Sequence, residues 1–147
     1  NIKVPAGVES GNYMTVENQG NEDVNGSPGD LLVVFEEKPH EYFVRDGENI
    51  FIELTINYPD AVFGNKIDIP TLDGKSALKI PAGIQSGKLL RMRGKGFPML
   101  RSSSKGDQIV RVVINTPTSF SKGSKKIIES LKTELDPIKK PYSKIDI

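Results

Sequence analysis

The chain has 147 residues and a net charge of +1, so it offers no concentrated basic surface for a nucleic-acid duplex. It has no cysteine and a single histidine, His40, which excludes disulfides, thiolate zinc sites, thiol nucleophiles and multi-histidine metal centres. No apolar run approaches the roughly 20 residues that span a bilayer, and 36% apolar residues fit a soluble, intracellular, thin or extended molecule with small cores and little sign of an enzyme.

Residues 2–11 read IKVPAGVESG, a short strand followed by a turn in which proline fixes φ and glycine permits positive φ. Gly29-Asp30 opens a second strand, LLVVF at 31–35, whose unbroken apolar run predicts cover on both faces. Asp46-Gly47 marks a turn. From Asn49 to Tyr58 the pattern alternates strictly, with Ile50, Ile52, Leu54, Ile56 and Tyr58 on one face, as in a half-buried strand. Residues 59–63 fit one helical turn, with proline early and Gly64 as the stop. Ile67 and Ile69 alternate again, Asp73-Gly74 predicts a type I′ hairpin, and 75–80 return as a strand.

The stretch from Gly87 to Gly96 is basic and carries glycine, but it is not a phosphate loop. Three residues, not four, separate Gly83 from Gly87-Lys88, and Leu89 stands where Ser or Thr is required. Alternation turns Leu90 and Met92 inward and Lys88, Arg91 and Arg93 outward. Gly106-Asp107 opens the strand QIVRVVI at 108–114. Beyond it Ser121 is a plausible N-cap. Ile127, Ile128, Leu131 and Leu135 make one apolar stripe on a helix that Asp136-Pro137 ends. The tail is polar and extended or disordered.

Residues 78–87, LKIPAGIQSG, repeat residues 2–11 at an offset of 76, with six of ten positions identical. Gly20 falls on Gly96, and after a one-residue slip Gly29-Asp30 falls on Gly106-Asp107. Subtracting 76 from residues 49–77 lands almost wholly before Asn1. The first copy is therefore expected to begin inside its domain. This gives a partial first domain at 1–47, a second at 48–120, a helix at 121–136 and a tail at 137–147. The second core is expected to include Ile52, Leu54, Ile56, Ile67, Ile80, Leu90, Val110 and Val112.

The succession Pro5-Ala6-Gly7, Gly29-Asp30, Lys38-Pro39-His40, Phe43 with Arg45-Asp46-Gly47, Thr71-Leu72-Asp73-Gly74-Lys75, Lys79-Ile80-Pro81-Ala82-Gly83, Arg93-Gly94-Lys95-Gly96, Gly106-Asp107 and Thr116-Pro117 resembles the C-terminal substrate-binding region of DnaJ co-chaperones. The resemblance covers about residues 1–135. It implies a mainly β fold of two tandem, similar β-sandwich or barrel-like domains, the first truncated at its N-terminus, plus a short C-terminal helix that forms a homodimer. It also implies binding of unfolded client polypeptides and their delivery to the ATP-driven DnaK-class chaperone, with no nucleic-acid or membrane partner. No cofactor is expected in this chain; a zinc module would lie upstream of a PAG segment like this one. The J-domain's His-Pro-Asp motif is absent, since His40 is followed by Glu41.

By the same resemblance an apolar pocket on the first domain takes a client side chain while the client adds as an extra strand. The Gly-Asp register carries that pocket to Val33, with Leu31 and Phe35 on the same face by alternation. Ile2 and Val4 border it on the neighbouring strand, and the strand that accepts the client lies before Asn1. Ile127, Ile128, Leu131 and Leu135 are the expected dimer contacts. The PAG turns and His40 are expected to be structural, and no catalytic or metal site is expected. Two rivals are a β-sandwich adhesion or carbohydrate-binding module and a paired-carboxylate hydrolase. The absence of Trp counts against the first, and the lack of a recognisable catalytic motif against the second.

Overall fold

The computed structural model describes residues 3–16 and 30–147; Ile2, Gly20 and Gly29 of the sequence argument lie outside them. In chain order the elements are β1 (Tyr13–Val16), β2 (Leu31–Val34), β3 (Val44–Asp46), β4 (Asn49–Asn57), α1 (Tyr58–Phe63), β5 (Asn65–Thr71), β6 (Gly74–Ile80), β7 (Leu89–Met92), β8 (Gln108–Asn115) and α2 (Lys122–Glu134). The fold is mainly β. One compact unit runs to Asn115, and a second comprises Thr116–Ile147.

Within the first unit, β1 and β2 pair antiparallel, β5 and β6 form a hairpin, and the remaining strands make a sheet of order β3-β4-β8-β7. The β4–β8 pair is parallel, with Ile52 opposite Val110 and Leu54 opposite Val112. Parallel neighbours need a crossover, and α1 with the β5–β6 hairpin begins it. The alternation of residues 49–57 decides which face is covered. Ile52 and Ile56 join Ile69, Leu78, Ile80, Met92, Val110 and Val112 in one buried core, with Leu54, Ile67 and Leu90 packed against it. Every residue expected in that core is in it or packed against it. Thr71 and Gln108 are buried polar residues; Gln108 is fully buried, its Nε2 donates to the Pro70 carbonyl at 2.9 Å, and its Oε1 has no partner among the described residues.

Three local expectations change. Tyr58 leaves the strand and opens α1, because Pro59 prefers the first helical turn and removes a ladder donor. The β5–β6 loop is Leu72-Asp73, with Thr71 opposite Gly74. Arg101 is the only described non-glycine residue at positive φ, so no type I′ turn forms at Asp73. Instead the Thr71 hydroxyl accepts from the Asp73 N–H at 3.3 Å and donates to the Gly74 carbonyl at 3.0 Å. Finally, the run 31–35 is not covered on both faces: Leu32 and Val34 are 60% and 59% exposed, because among the described residues no element packs on them.

The repeat holds at the level of single hydrogen bonds. Met14 faces Val33 as Leu90 faces Val110, and Val16 faces Leu31 as Met92 faces Gln108. The Gly11 N–H donates to the Phe35 carbonyl and the Phe35 N–H to the Asn12 carbonyl, while Gly87, Val112 and Lys88 repeat both bonds. The Ser10 hydroxyl accepts from the Glu37 N–H, and the Ser86 hydroxyl from that of Ile114. Sequence identity concentrated in a turn thus specifies a whole hairpin register.

Candidate functional site

The β1–β2 pair brings three of the expected pocket residues, Leu31, Val33 and Phe35, onto one face. Leu31 and Val33 are half-buried on β2, with Val16 and Met14 directly opposite on β1. Phe35 extends the same face beyond the strand end and stays on the ladder through its bonds to Gly11 and Asn12. The reverse face carries Tyr13, Leu32 and Val34, all exposed. Val4 is exposed and lies in no strand, and Ile2 is outside the described residues; the neighbour of β2 is not the 2–4 segment but β1, beyond the Pro5-Ala6-Gly7 turn, because the hairpin register runs through Gly11 and Asn12. Met14 is a member of this face that the sequence argument missed; the offset of 76 to Leu90 was the signal that could have found it.

The second repeat shows what a completed version of this surface looks like. Val110, the counterpart of Val33, is fully buried, and β4 occupies the edge of β8 that faces away from β7. The corresponding edge of β2 has no ladder partner among the described residues. Unpaired strand groups beside apolar side chains are the chemistry that an extended polypeptide satisfies, by backbone pairing and side-chain burial together.

On the second unit, the Ser121 hydroxyl caps α2 by accepting from the Ser124 N–H at 3.1 Å. None of the helix is buried. Ile127, Ile128 and Leu135 are exposed, and Leu131 is half-buried. Three of the four residues expected to dimerise are therefore exposed.

The remaining polar motifs are absorbed by the fold. His40 Nδ1 accepts from the N–H groups of Tyr42 and Phe43 at 3.2 and 3.3 Å, and its ring packs edge-on to Tyr42. The basic stretch is tied down by Asp107, whose carboxylate accepts from the Gly94 N–H at 2.9 Å and from Arg91 at 2.5 Å. The Gly94 hydrogen bond, reinforced by Arg91, holds the Asp107 carboxyl below its usual range. Arg111 pairs with Glu53 on the neighbouring strand at 2.7 Å. Gly106 is required by close approach: a Cβ there would lie 2.1 Å from the Glu48 carbonyl oxygen. Among the described residues no three His, Asp or Glu side chains gather as metal ligands, and no helix is long and apolar enough to cross a membrane.

Residues 1–117 match the family model of the DnaJ C terminal domain. The chain belongs to that family. Among similar proteins are the chaperone protein DnaJ of Chlorobium limicola, 50% identical over 132 residues, covering 89% of this chain and 33% of the relative. That of Shouchella clausii is 46% identical over 129 residues, covering 87% and 35%, and that of Salinibacter ruber 42% over 132 residues, covering 89% and 34%. The chain spans about a third of the length of these curated relatives. Within the DnaJ C-terminal family match lie both repeats and the whole β1–β2 face, whereas α2 begins after its last residue.

Proposed function

We propose that this chain is the client-binding and dimerising part of a DnaJ co-chaperone. It acts without catalysis, in the cytoplasm, and in the intact protein passes unfolded polypeptides to the ATP-driven DnaK-class chaperone for folding. The observation that carries the reading is the β1–β2 pair: Leu31, Val33, Phe35 and Met14 on one face, beside a strand edge unpaired among the described residues. An extended client buries an apolar side chain against that face while its backbone pairs with a sheet edge, which gives affinity with little sequence preference. The apolar stripe of α2 joins two copies, and any zinc belongs to a module outside these residues. Family membership disfavours the glycan-binding rival.

Aggregation of a denatured apolar protein, followed by light scattering with and without the chain, tests the proposal. Suppression at near-stoichiometric ratios is expected. No suppression, together with retention on a glycan array, would replace it with the adhesion reading.

A further inference from the structure

Arg45 belongs to β3, in the sheet of the second repeat, but its guanidinium is spent mainly on the first. Its Nε donates to the Gly47 carbonyl at 2.8 Å, within its own turn. One terminal nitrogen donates to the Val8 carbonyl and to the Glu37 carboxylate. The other donates to the Gly7 carbonyl at 3.0 Å, with the Glu9 carboxylate 3.8 Å away. One face of the planar group stacks on Phe97, whose ring centroid lies 3.9 Å from the guanidinium carbon. The side chain is 11% exposed.

The contact is a property of the joint between the repeats, not of each repeat. The position 77 residues beyond Arg45 is Lys122, at the start of α2, and no second guanidinium stands there. The two PAG turns differ in the same way. Gly83 has open space where a Cβ would project, whereas a Cβ on Gly7 would lie 2.1 Å from the Pro98 carbonyl oxygen. The first turn is thus held between Arg45 and the loop that carries Phe97 and Pro98. Only a planar fork with five donors serves carbonyls and carboxylates on several sides while stacking on a ring; a lysine ammonium has neither the geometry nor the flat face.

We infer that Arg45 is a positioning residue that locks the first repeat's Pro5-Ala6-Gly7 turn onto the second repeat, and so fixes the angle at which the β1–β2 apolar face is presented. Its consequence for clients rests on the client-binding reading above; the lock itself does not. A fixed face presents its strand edge without first losing orientational freedom, which matters most for a long client held at more than one point.

Because the chain lacks cysteine, spin labels can be placed at the exposed positions Thr15 and Lys79 in the full chain and their separation measured by pulsed electron resonance. The parent should give one narrow distance distribution. Arg45→Ala should at least double its width, and Arg45→Lys should broaden it partly, with amide-exchange protection of β8 unchanged in both. A role limited to overall stability would lower the melting temperature and leave the width alone. If Arg45→Ala does not fold, Arg45→Lys decides: a width equal to the parent's overturns the lock. In binding, Arg45→Lys should leave the affinity for a short single-site apolar peptide within about twofold and weaken a long unfolded chain by about fivefold. A parent that binds neither ligand would remove the client reading, and the distance measurement would still judge the lock.

Discussion

A carboxylate that takes a backbone N–H and an arginine at once ties the strands around it to pH, and Asp107 is such a group. Its folded value lies below the ordinary one because the Gly94 N–H, and then Arg91, favour the charged form. A depressed carboxyl stabilises the fold fully above its unfolded value, near pH 4, and loses that contribution as pH falls through the folded value. Asp107→Asn is therefore expected to lower the melting temperature at neutral pH and to match the parent at the acid end. Thermal unfolding from pH 2 to 7 measures this; parallel curves would show that the Gly94 and Arg91 contacts contribute nothing to folding. Single residues were also where the sequence was least readable. Arg45 was singled out only as part of an Arg-Asp-Gly turn, since nothing in a linear pattern says which distant carbonyls a guanidinium will reach.

At the scale of elements, the period-2 pattern of residues 49–57 and the repeat at an offset of 76 place the long strands of the second repeat, its core and the β2 half of the β1–β2 face, but not β1 itself, since the partner strand is expected at residues 2–4 and lies at Tyr13–Val16. What they do not encode is cover. An unbroken apolar run reads as doubly buried, yet exposure of Leu32 and Val34 depends on whether another element lies over them. The β5–β6 turn escaped for a different reason: a threonine hydroxyl bridging its own loop competes with the backbone geometry that Asp-Gly suggests. On β2 itself, if clients bind as proposed, Val33→Asp places a charge where a client side chain must desolvate it. The cost is on the order of 2 kcal/mol, or roughly thirty-fold in client affinity. Isothermal titration with an apolar peptide measures it, with amide exchange of β8 as the control for folding. Unaltered affinity would move the site away from this face.

For the molecule as a whole, the exposed apolar stripe of α2 is the proposed assembly surface. A two-fold pair places the same patch against itself, and Ile127, Ile128, Leu131 and Leu135 supply an apolar patch rimmed by Lys125, Lys126 and Lys132, which limits growth beyond two chains. Two weak client sites joined in this way gain roughly 10²–10⁴ in avidity for one long polypeptide. Leu131→Glu is expected to give monomers that bind short peptides as the parent does and hold long unfolded chains poorly. Light scattering at high concentration provides the check: a monomeric parent would remove the dimer and leave the β1–β2 site untouched.

The duplicated hairpin carries a hazard. Because β1–β2 and β7–β8 share one hydrogen-bond register, β2 is a ready impostor for β8 beside β4, with Val33 in the place of Val110. Such an exchange would be a kinetic trap of the kind repeated sequences favour. The two strands part company where Leu31 corresponds to Gln108: only the glutamine donates to the Pro70 carbonyl, so the wrong hairpin leaves that acceptor unserved. The buried glutamine is thus expected to distinguish the two strands during folding. Gln108→Leu erases the distinction, and stopped-flow refolding of that variant is expected to split into a productive phase and a slow, trapped one, where the parent shows the productive phase alone.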